Sequence, residues 1–154
     1  MSYNCTIVEK PDQAVLSIRT RTAVGNLPNV MGRAYGRLAQ YLIELGESPT
    51  GAPFTGYYNM DMQDLDIEIG FPVSRSLQAK DDMQPGLIPG GKQASCLHIG
   101  PYNTVETAYN ALIAFIGESG QEATGVAYEF YLNDPNETPP EELQTQIIFP
   151  LKEA

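Results

Sequence analysis

Apolar side chains recur every three or four residues in two stretches of this chain, one in each half. They are Met31, Tyr35, Leu38, Leu42 and Leu45 in the first stretch and Val105, Tyr109, Leu112 and Ile116 in the second. This spacing places them on one face of an α-helix. Gly46 and Gly120 follow the two stretches, where a left-handed residue commonly ends a helix. The pattern therefore predicts two amphipathic helices.

Two other segments, 65–73 and 143–151, alternate apolar and polar residues instead. Such alternation is typical of a β-strand with one apolar face. Pro72 and Pro150 mark the strand ends, because proline cannot donate a hydrogen bond to the ladder. In the first segment, Asp66 and Glu68 are predicted to lie on the polar face.

These elements belong to a sequence that repeats internally. Residues 34–59 align without a gap on residues 108–133, and nine of the 26 positions are identical. The similarity resumes between 65–73 and 143–151, and residues 14–20 match residues 93–99 as upstream strands. Each half thus predicts strand, helix, strand, strand. Two such modules would pair about a pseudo-two-fold axis into an α+β domain with a ligand cleft at their junction.

The domain organisation follows from this repeat. We predict a single domain over 1–154, with repeat one at about 4–73, a connector at 74–91 and repeat two at about 92–152. The connector is rich in glycine and proline, which is typical of turns, and the LIPGGKQA segment at its end is predicted to form a hairpin.

Composition excludes several classes of protein. The chain has 154 residues, 42% of them hydrophobic, and a net charge of −10, so clustered basic residues for direct nucleic-acid binding are not expected. Two cysteines and one histidine argue against a disulfide framework and against a zinc site, and no cofactor or metal is predicted. Without a signal peptide or an apolar run of membrane length, we expect a cytoplasmic protein.

Three segments in the second half resemble the GyrI-like family of effector-binding domains, including those of AraC-type regulators. HIGPYNTVETAYNALIAFI (98–116), YEFYLNDP (128–135) and LQTQIIFPL (143–151) are similar to that family's HxGPY, E-x-Y and T-x-I-x-x-P motifs, in order. The resemblance implies about eight antiparallel strands carrying two helices, and a central cleft for small molecules. The family includes multidrug-sensing effector domains, a gyrase inhibitor, and stand-alone proteins similar to hydrolases that open cyclopropane rings. Since the two repeats fill the length, we expect no helix-turn-helix domain here.

Glu129 is the main candidate for a functional residue. It stands in an aromatic strand, GVAYEFYLN, and a carboxylate buried there needs a hydrogen bond, a cation or protonation. An exposed edge position is the alternative. The family resemblance implies that a glutamate at this point of the motif meets the positive charge of a drug.

Further candidates surround Glu129 in the predicted cleft. Tyr57 and Tyr131 occupy equivalent repeat positions and would form aromatic walls that attract a cation, unless they only pack together. Tyr109 is a secondary candidate for which a core role is favoured, and Glu68 is a second carboxylate for which a solvated position is favoured. Capping or packing is the expected role of His98, and Cys96 is expected in the core.

The sequence thus predicts a binding protein for lipophilic, multidrug-type and cationic small molecules. An alternative is a hydrolase in which Glu129 activates water as general base. A third hypothesis is a gyrase-inhibitor-like interaction protein. Gyrase or a separate regulator is a candidate protein partner.

Overall fold

The computed structural model describes residues 3–153 and has an α+β fold with eight antiparallel strands and two helices. The strands are β1 (Thr6–Lys10), β2 (Gln13–Thr22), β3 (Phe54–Tyr57), β4 (Leu65–Pro72), β5 (Met83–Ile88), β6 (Gly91–Ile99), β7 (Ala127–Tyr131) and β8 (Gln144–Pro150). The helices are α1 (Leu27–Glu44) and α2 (Glu106–Glu118). Neither helix is long and apolar enough to cross a membrane.

The chain divides into two compact units. The first unit comprises residues 12–89, and the second comprises the described residues 3–11 and 90–153. Strands follow the order β3-β4-β2-β5 in the first unit and β7-β8-β6-β1 in the second. The edge strand β1 therefore belongs to the second unit, although it precedes every strand of the first.

The sequence prediction of strand, helix, strand, strand in each half is confirmed. The elements are β2-α1-β3-β4 in the first unit and β6-α2-β7-β8 in the second. Gly46 and Gly120 follow the helices with φ of 68° and 70°, the left-handed conformation that glycine adopts without steric cost. Strands β4 and β8 end at Pro72 and Pro150, as predicted.

Two sequence predictions about strand pairing are wrong. The LIPGGKQA segment forms no hairpin, because β5 pairs with β2 whereas β6 pairs with β1 and β8. The match of 14–20 to 93–99 is shifted by one residue. Ser17 pairs with Gly70 and Ser95 with Ile148, so residues 14–20 correspond to 92–98. A shift of one residue exchanges the two faces of a strand, and the true register places both serines on the same face of their sheets.

Each unit has its own apolar core between its helix and one face of its strands. In the first unit, buried side chains of α1 pack on β2 and β4; they include Leu16, Ile18, Leu38, Leu42, Ile67 and Ile69. In the second unit, α2 packs on β6 and β8; the buried residues include Ala94, Cys96, Ala108, Leu112, Ile116 and Ile147. Burial of these faces is the main stabilising contribution to each unit.

The close packing of the first unit can be tested by a substitution at Gly70 on β4. A Cβ atom added there would lie 2.6 Å from the carbonyl oxygen of Leu16 and 2.8 Å from Cβ of Ser17. We expect Gly70→Ala to lower the free energy of unfolding by about 1–3 kcal/mol, because backbone atoms must move. Denaturant unfolding followed by circular dichroism measures the change.

Gly36→Ala is the matched control for this substitution. Gly36 is an exposed residue of α1 with no heavy atom within 4 Å of an added Cβ. Alanine at this position should raise the free energy of unfolding by about 0.5–1 kcal/mol, since glycine is a poor helix former. Equal effects of the two substitutions would contradict the close approach of β2 to Gly70.

Candidate functional site

Glu129 lies in the middle of β7 and is buried, with 9% of its surface exposed. It pairs across the strands with Ile147, a core residue beneath α2. Because directly paired residues of antiparallel strands point to the same face, the Glu129 side chain lies on the helix-covered side of the sheet. The alternative of an exposed edge position is therefore wrong.

Two tyrosine hydroxyls hold the Glu129 carboxylate. The hydroxyl of Tyr109, on α2, donates a hydrogen bond to Oε2, and that of Tyr131 donates to Oε1 at 3.0 Å. The Tyr109 ring packs edge-on against Phe149, with 5.6 Å between ring centroids. The Tyr131 ring packs against Tyr102 in the same manner, also at 5.6 Å. The site is thus an acidic group with aromatic side chains around it.

The charge of Glu129 is not neutralised by a salt bridge. Among residues 3–153, no lysine, arginine or histidine lies within ion-pair distance of its carboxylate. Burial raises the pKa of Glu129 above its ordinary value. The hydrogen bonds from Tyr109 and Tyr131 and the charge of His98 act in the opposite direction but do not outweigh burial.

His98 contacts the residues that precede α2, the helix that carries Tyr109. Its Nδ1 lies 3.1 Å from the Tyr3 hydroxyl, and its Nε2 lies 3.1 Å from Thr104 Oγ1 and 3.2 Å from the carbonyl oxygen of Pro101. These contacts join β6 to the short 3-10 turn before α2. They agree with the capping or packing role expected for this histidine.

Tyr109 has a polar contact in addition to the core role that the sequence predicts for it. Its place on the helix stripe favours a core role, and its ring does pack beside Phe149. Its hydroxyl, however, binds Glu129 directly. The helical periodicity identified the buried face but carries no information about the partner of the polar end of the side chain.

The other two predicted site residues, Tyr57 and Glu68, belong to the first unit and lie on opposite faces of its strands. Tyr57 pairs with Ile67 and packs against the core beneath α1. Glu68 is buried on the other face, with 8% of its surface exposed. Its Oε2 accepts a hydrogen bond from Ser17 and its Oε1 one from Tyr58, each at 2.6 Å. The favoured solvated position of Glu68 is therefore wrong, and ligand binding by either residue stays a prediction.

Sequence reasoning missed Tyr102, whose ring packs against Tyr131, and Tyr58, whose hydroxyl binds Glu68. Tyr102 follows Gly100 and Pro101 in the GPY motif, which was the available signal. The Tyr58 hydroxyl binds Glu68, and the Arg19 guanidinium lies 3.6 Å from the centroid of the Tyr58 ring. These contacts depend on strand pairing between distant residues, which periodicity does not give.

Other groups in the described residues offer less chemistry. Burial raises the pKa of the Cys96 thiol to about 12, which suits a core residue and not a nucleophile. Within residues 3–153 there is no group of three or more histidine, cysteine or acidic side chains able to hold a metal ion. Two open grooves of about 470 Å³ each lie elsewhere in the second unit, one beside Cys5 and Phe115 and the other beside Glu137, and Glu129 lines neither.

Several solved structures share this fold. The C-terminal domain of EcmrR superposes with a TM-score of 0.88 at 21% sequence identity, and all of both chains is covered. A hydrolase from Listeria innocua gives a TM-score of 0.72 at 13% identity, covering 98% of this chain and 93% of that one. The protein SAV2435, solved bound to tetraphenylphosphonium, gives 0.66 at 12% identity, covering 99% and 94%.

The structure of EcmrR on DNA is also similar, with a TM-score of 0.86 at 21% identity. The match covers all of this chain and 59% of that one. Comparison with curated protein sequences gives no significant match. The family model described as the GyrI-like small molecule binding domain matches residues 3–152. This match spans nearly the whole chain, and the chain therefore belongs to the GyrI-like small molecule binding domain family.

Proposed function

We propose that this protein binds lipophilic cations and that Glu129 supplies the counter-charge. One observation carries the proposal: a buried carboxylate is held by two tyrosine hydroxyls and has no basic partner among the described residues. Burying an unpaired charge is costly, and a structure that retains one offers a favourable position to an arriving cation.

The aromatic side chains around Glu129 suit the apolar part of such a ligand. The rings of Tyr102, Tyr109, Tyr131 and Phe149 form two edge-on pairs near the carboxylate. A cation over an aromatic face gains about 0.5–2 kcal/mol, more where water is excluded. These rings and Glu129 together favour a flat or bulky ligand with a delocalised positive charge over a neutral one.

The raised pKa of Glu129 couples ligand binding to protons. A cation beside the carboxylate stabilises its ionised form and thus lowers its pKa. In the pH range where the free protein holds this proton, binding of a cation releases it. Binding should therefore strengthen as the pH rises through that range.

The comparisons support this proposal in two ways. The family is one of small-molecule binding domains, and SAV2435, which has the same fold, was solved with a lipophilic cation, tetraphenylphosphonium. The same order of elements in the two units supports the internal duplication inferred from the sequence.

Because EcmrR was solved on DNA, a regulator that responds to the bound state is the protein partner we propose.

A hydrolase is the second candidate, and the contact of two tyrosine hydroxyls with the Glu129 carboxylate favours it. In a cyclopropane conjugated to a carbonyl group, Glu129 would take a proton from water as the new C–O bond forms and the strained C–C bond breaks. The electron pair would move to the carbonyl oxygen, where a tyrosine hydroxyl can donate. The carboxylate and phenols that this requires are in contact here.

The ligand-binding proposal predicts a selective loss of affinity in Glu129→Gln. The amide keeps the size of the side chain but removes its charge. We expect binding of tetraphenylphosphonium to weaken at least about tenfold, equivalent to about 1.4 kcal/mol, with less than about twofold change for neutral triphenylphosphine oxide. Isothermal titration calorimetry at pH 8 measures both.

The exposed Glu141, outside the strands, provides the matched control. Glu141→Gln makes the same chemical change and should leave both affinities unaltered. Equal losses for the cation and the neutral compound in Glu129→Gln would show that this carboxylate acts only through shape or stability.

The raised pKa of Glu129 also predicts a pH-dependent stability. Because the folded protein holds this proton more tightly than the unfolded chain, the contribution is fully present below the ordinary glutamate pKa of about 4.3 and is lost as the pH rises through the folded value. Stability of the wild type relative to Glu129→Gln should thus fall from pH 4 upwards, as measured by urea unfolding. A difference that does not change with pH would contradict the buried ionisable state.

The hydrolase hypothesis predicts turnover that depends on the same group. Incubation with a carbonyl-conjugated cyclopropane should yield a product heavier by one water, and Glu129→Gln should slow its formation at least about a hundredfold, a typical contribution of a general base. Mass spectrometry of the reaction mixture detects the product. Unchanged substrate in the wild type would leave cation binding as the only supported function.

A further inference from the structure

A row of polar residues crosses the helix-covered face of the second unit beside Glu129. His98 on β6 and Tyr131 on β7 both pair with Thr145 on β8, so the three side chains share one face. His98 and Thr145 are buried, with 3% and 0% of their surfaces exposed. Thr145 is also the first residue of the T-x-I-x-x-P motif.

The corresponding row in the first unit has an apolar residue at its centre. With the observed strand registers, Ile67 corresponds to Thr145, and Thr20 to His98. Ile67 is completely buried beneath α1 and belongs to the apolar core. The architecture therefore accepts an apolar residue at the Thr145 position, and packing does not explain the hydroxyl.

The Thr145 hydroxyl is also unsatisfied. Among residues 3–153, its Oγ1 has no hydrogen-bond partner although the whole residue is buried. A buried hydroxyl without a partner destabilises the folded state, because it has lost its hydrogen bonds to water. Most buried polar atoms have partners, and an exception in a candidate binding site points to a group supplied from outside.

Thr145 lies close enough to Glu129 to share one ligand with it. Tyr131, the direct partner of Thr145, donates its hydroxyl hydrogen to Glu129. Glu129 itself pairs with Ile147, two residues from Thr145. Such diagonal neighbours on one face lie about 7–8 Å apart between their Cα atoms, within reach of a single polar head group.

We propose that Thr145 is a second polar contact of the ligand site and that it selects cations bearing N–H groups. This inference rests on the proposed cation-binding function and narrows its ligand class to protonated amines and amidines. An ammonium group has several donors, so it can bind the Glu129 carboxylate and Thr145 Oγ1 together. A quaternary onium ion has no donor and can use only the charge of Glu129.

The first test uses the protein without ligand. Thr145→Val keeps the shape of the side chain and removes the unsatisfied hydroxyl, so the thermal unfolding midpoint should rise by about 2–4 °C. Thr55→Val is the matched control. Thr55 is equally buried in the first unit, but its Oγ1 lies 3.1 Å from the Tyr35 hydroxyl, so its loss should lower the midpoint.

The second test compares two cations of the same charge, 4-phenylbenzylammonium, whose nitrogen carries three hydrogens, and its N,N,N-trimethyl counterpart, whose nitrogen carries three methyl groups. Calorimetry should show that Thr145→Val weakens binding of the ammonium ion about tenfold or more, the contribution expected of a hydrogen bond to a charged group. Binding of the trimethyl compound should change less than about twofold. Glu129→Gln should weaken both.

The outcomes separate this inference from the proposed function. Equal effects of Thr145→Val on the two cations, or a midpoint that does not rise, would overturn the role of Thr145 while leaving the counter-charge role of Glu129 intact. If neither cation binds the wild-type protein, both the role of Thr145 and the proposed function are overturned. A selective loss of the ammonium ion together with a raised midpoint supports the inference.

Discussion

The burial of one carboxylate without a basic partner is the interaction on which the candidate site depends. Glu129 is held under α2 by hydroxyl groups from two elements, the helix and its own strand. Neutral donors lower the cost of burying the charge but do not cancel it, which is why burial still raises the pKa of this group. A ligand with a positive charge would remove the remaining cost, so the same group links folding, proton binding and recognition.

The two units show that one architecture accommodates different groups at corresponding positions. In the first, the Tyr35 hydroxyl donates to the carbonyl oxygen of Phe54 and lies beside Thr55. In the second, Tyr109 has the corresponding place and donates to Glu129. The helix, the tyrosine and the strand register are alike, while the strand residue changes from a small neutral group to an acid. The first unit thereby keeps an ordinary interior, and the second acquires a polar one.

Much of the fold could be predicted from the sequence, because helix and strand periodicities are local properties. Six of the eight strands, both helices and their glycine ends could be predicted from residue spacing together with the internal repeat. The edge strands β1 and β5 could not be predicted in this way. Each pairs with other strands on one side only, and β5 contains Pro85 and Gly86, which interrupt a strand pattern. Local pattern also could not show that β5 and β6 are adjacent in sequence yet pair with different strands.

The candidate site was harder to predict, because its contacts also join residues that are distant in the sequence. The position of Glu129 among aromatic residues signalled an unusual carboxylate, and its burial agrees with that signal. The partner of Tyr109 and the burial of Glu68 were missed, because the groups that bind them come from distant parts of the chain. The alternation along β4 predicts a surface position for Glu68. Its hydrogen-bond donor Ser17 lies 51 positions away in the chain, so the local pattern does not reveal this contact. Pairing over such separations is fixed by the whole fold.

The early position of β1 in the chain has a consequence for biosynthesis. Residues 6–10 leave the ribosome well before residues 91–95, with which they pair. The first unit is continuous from 12 to 89 and can assemble while the remainder is still being translated. Strand β1 must wait with an unpaired backbone until β6 emerges, so the unit that carries Glu129 is completed after the first unit.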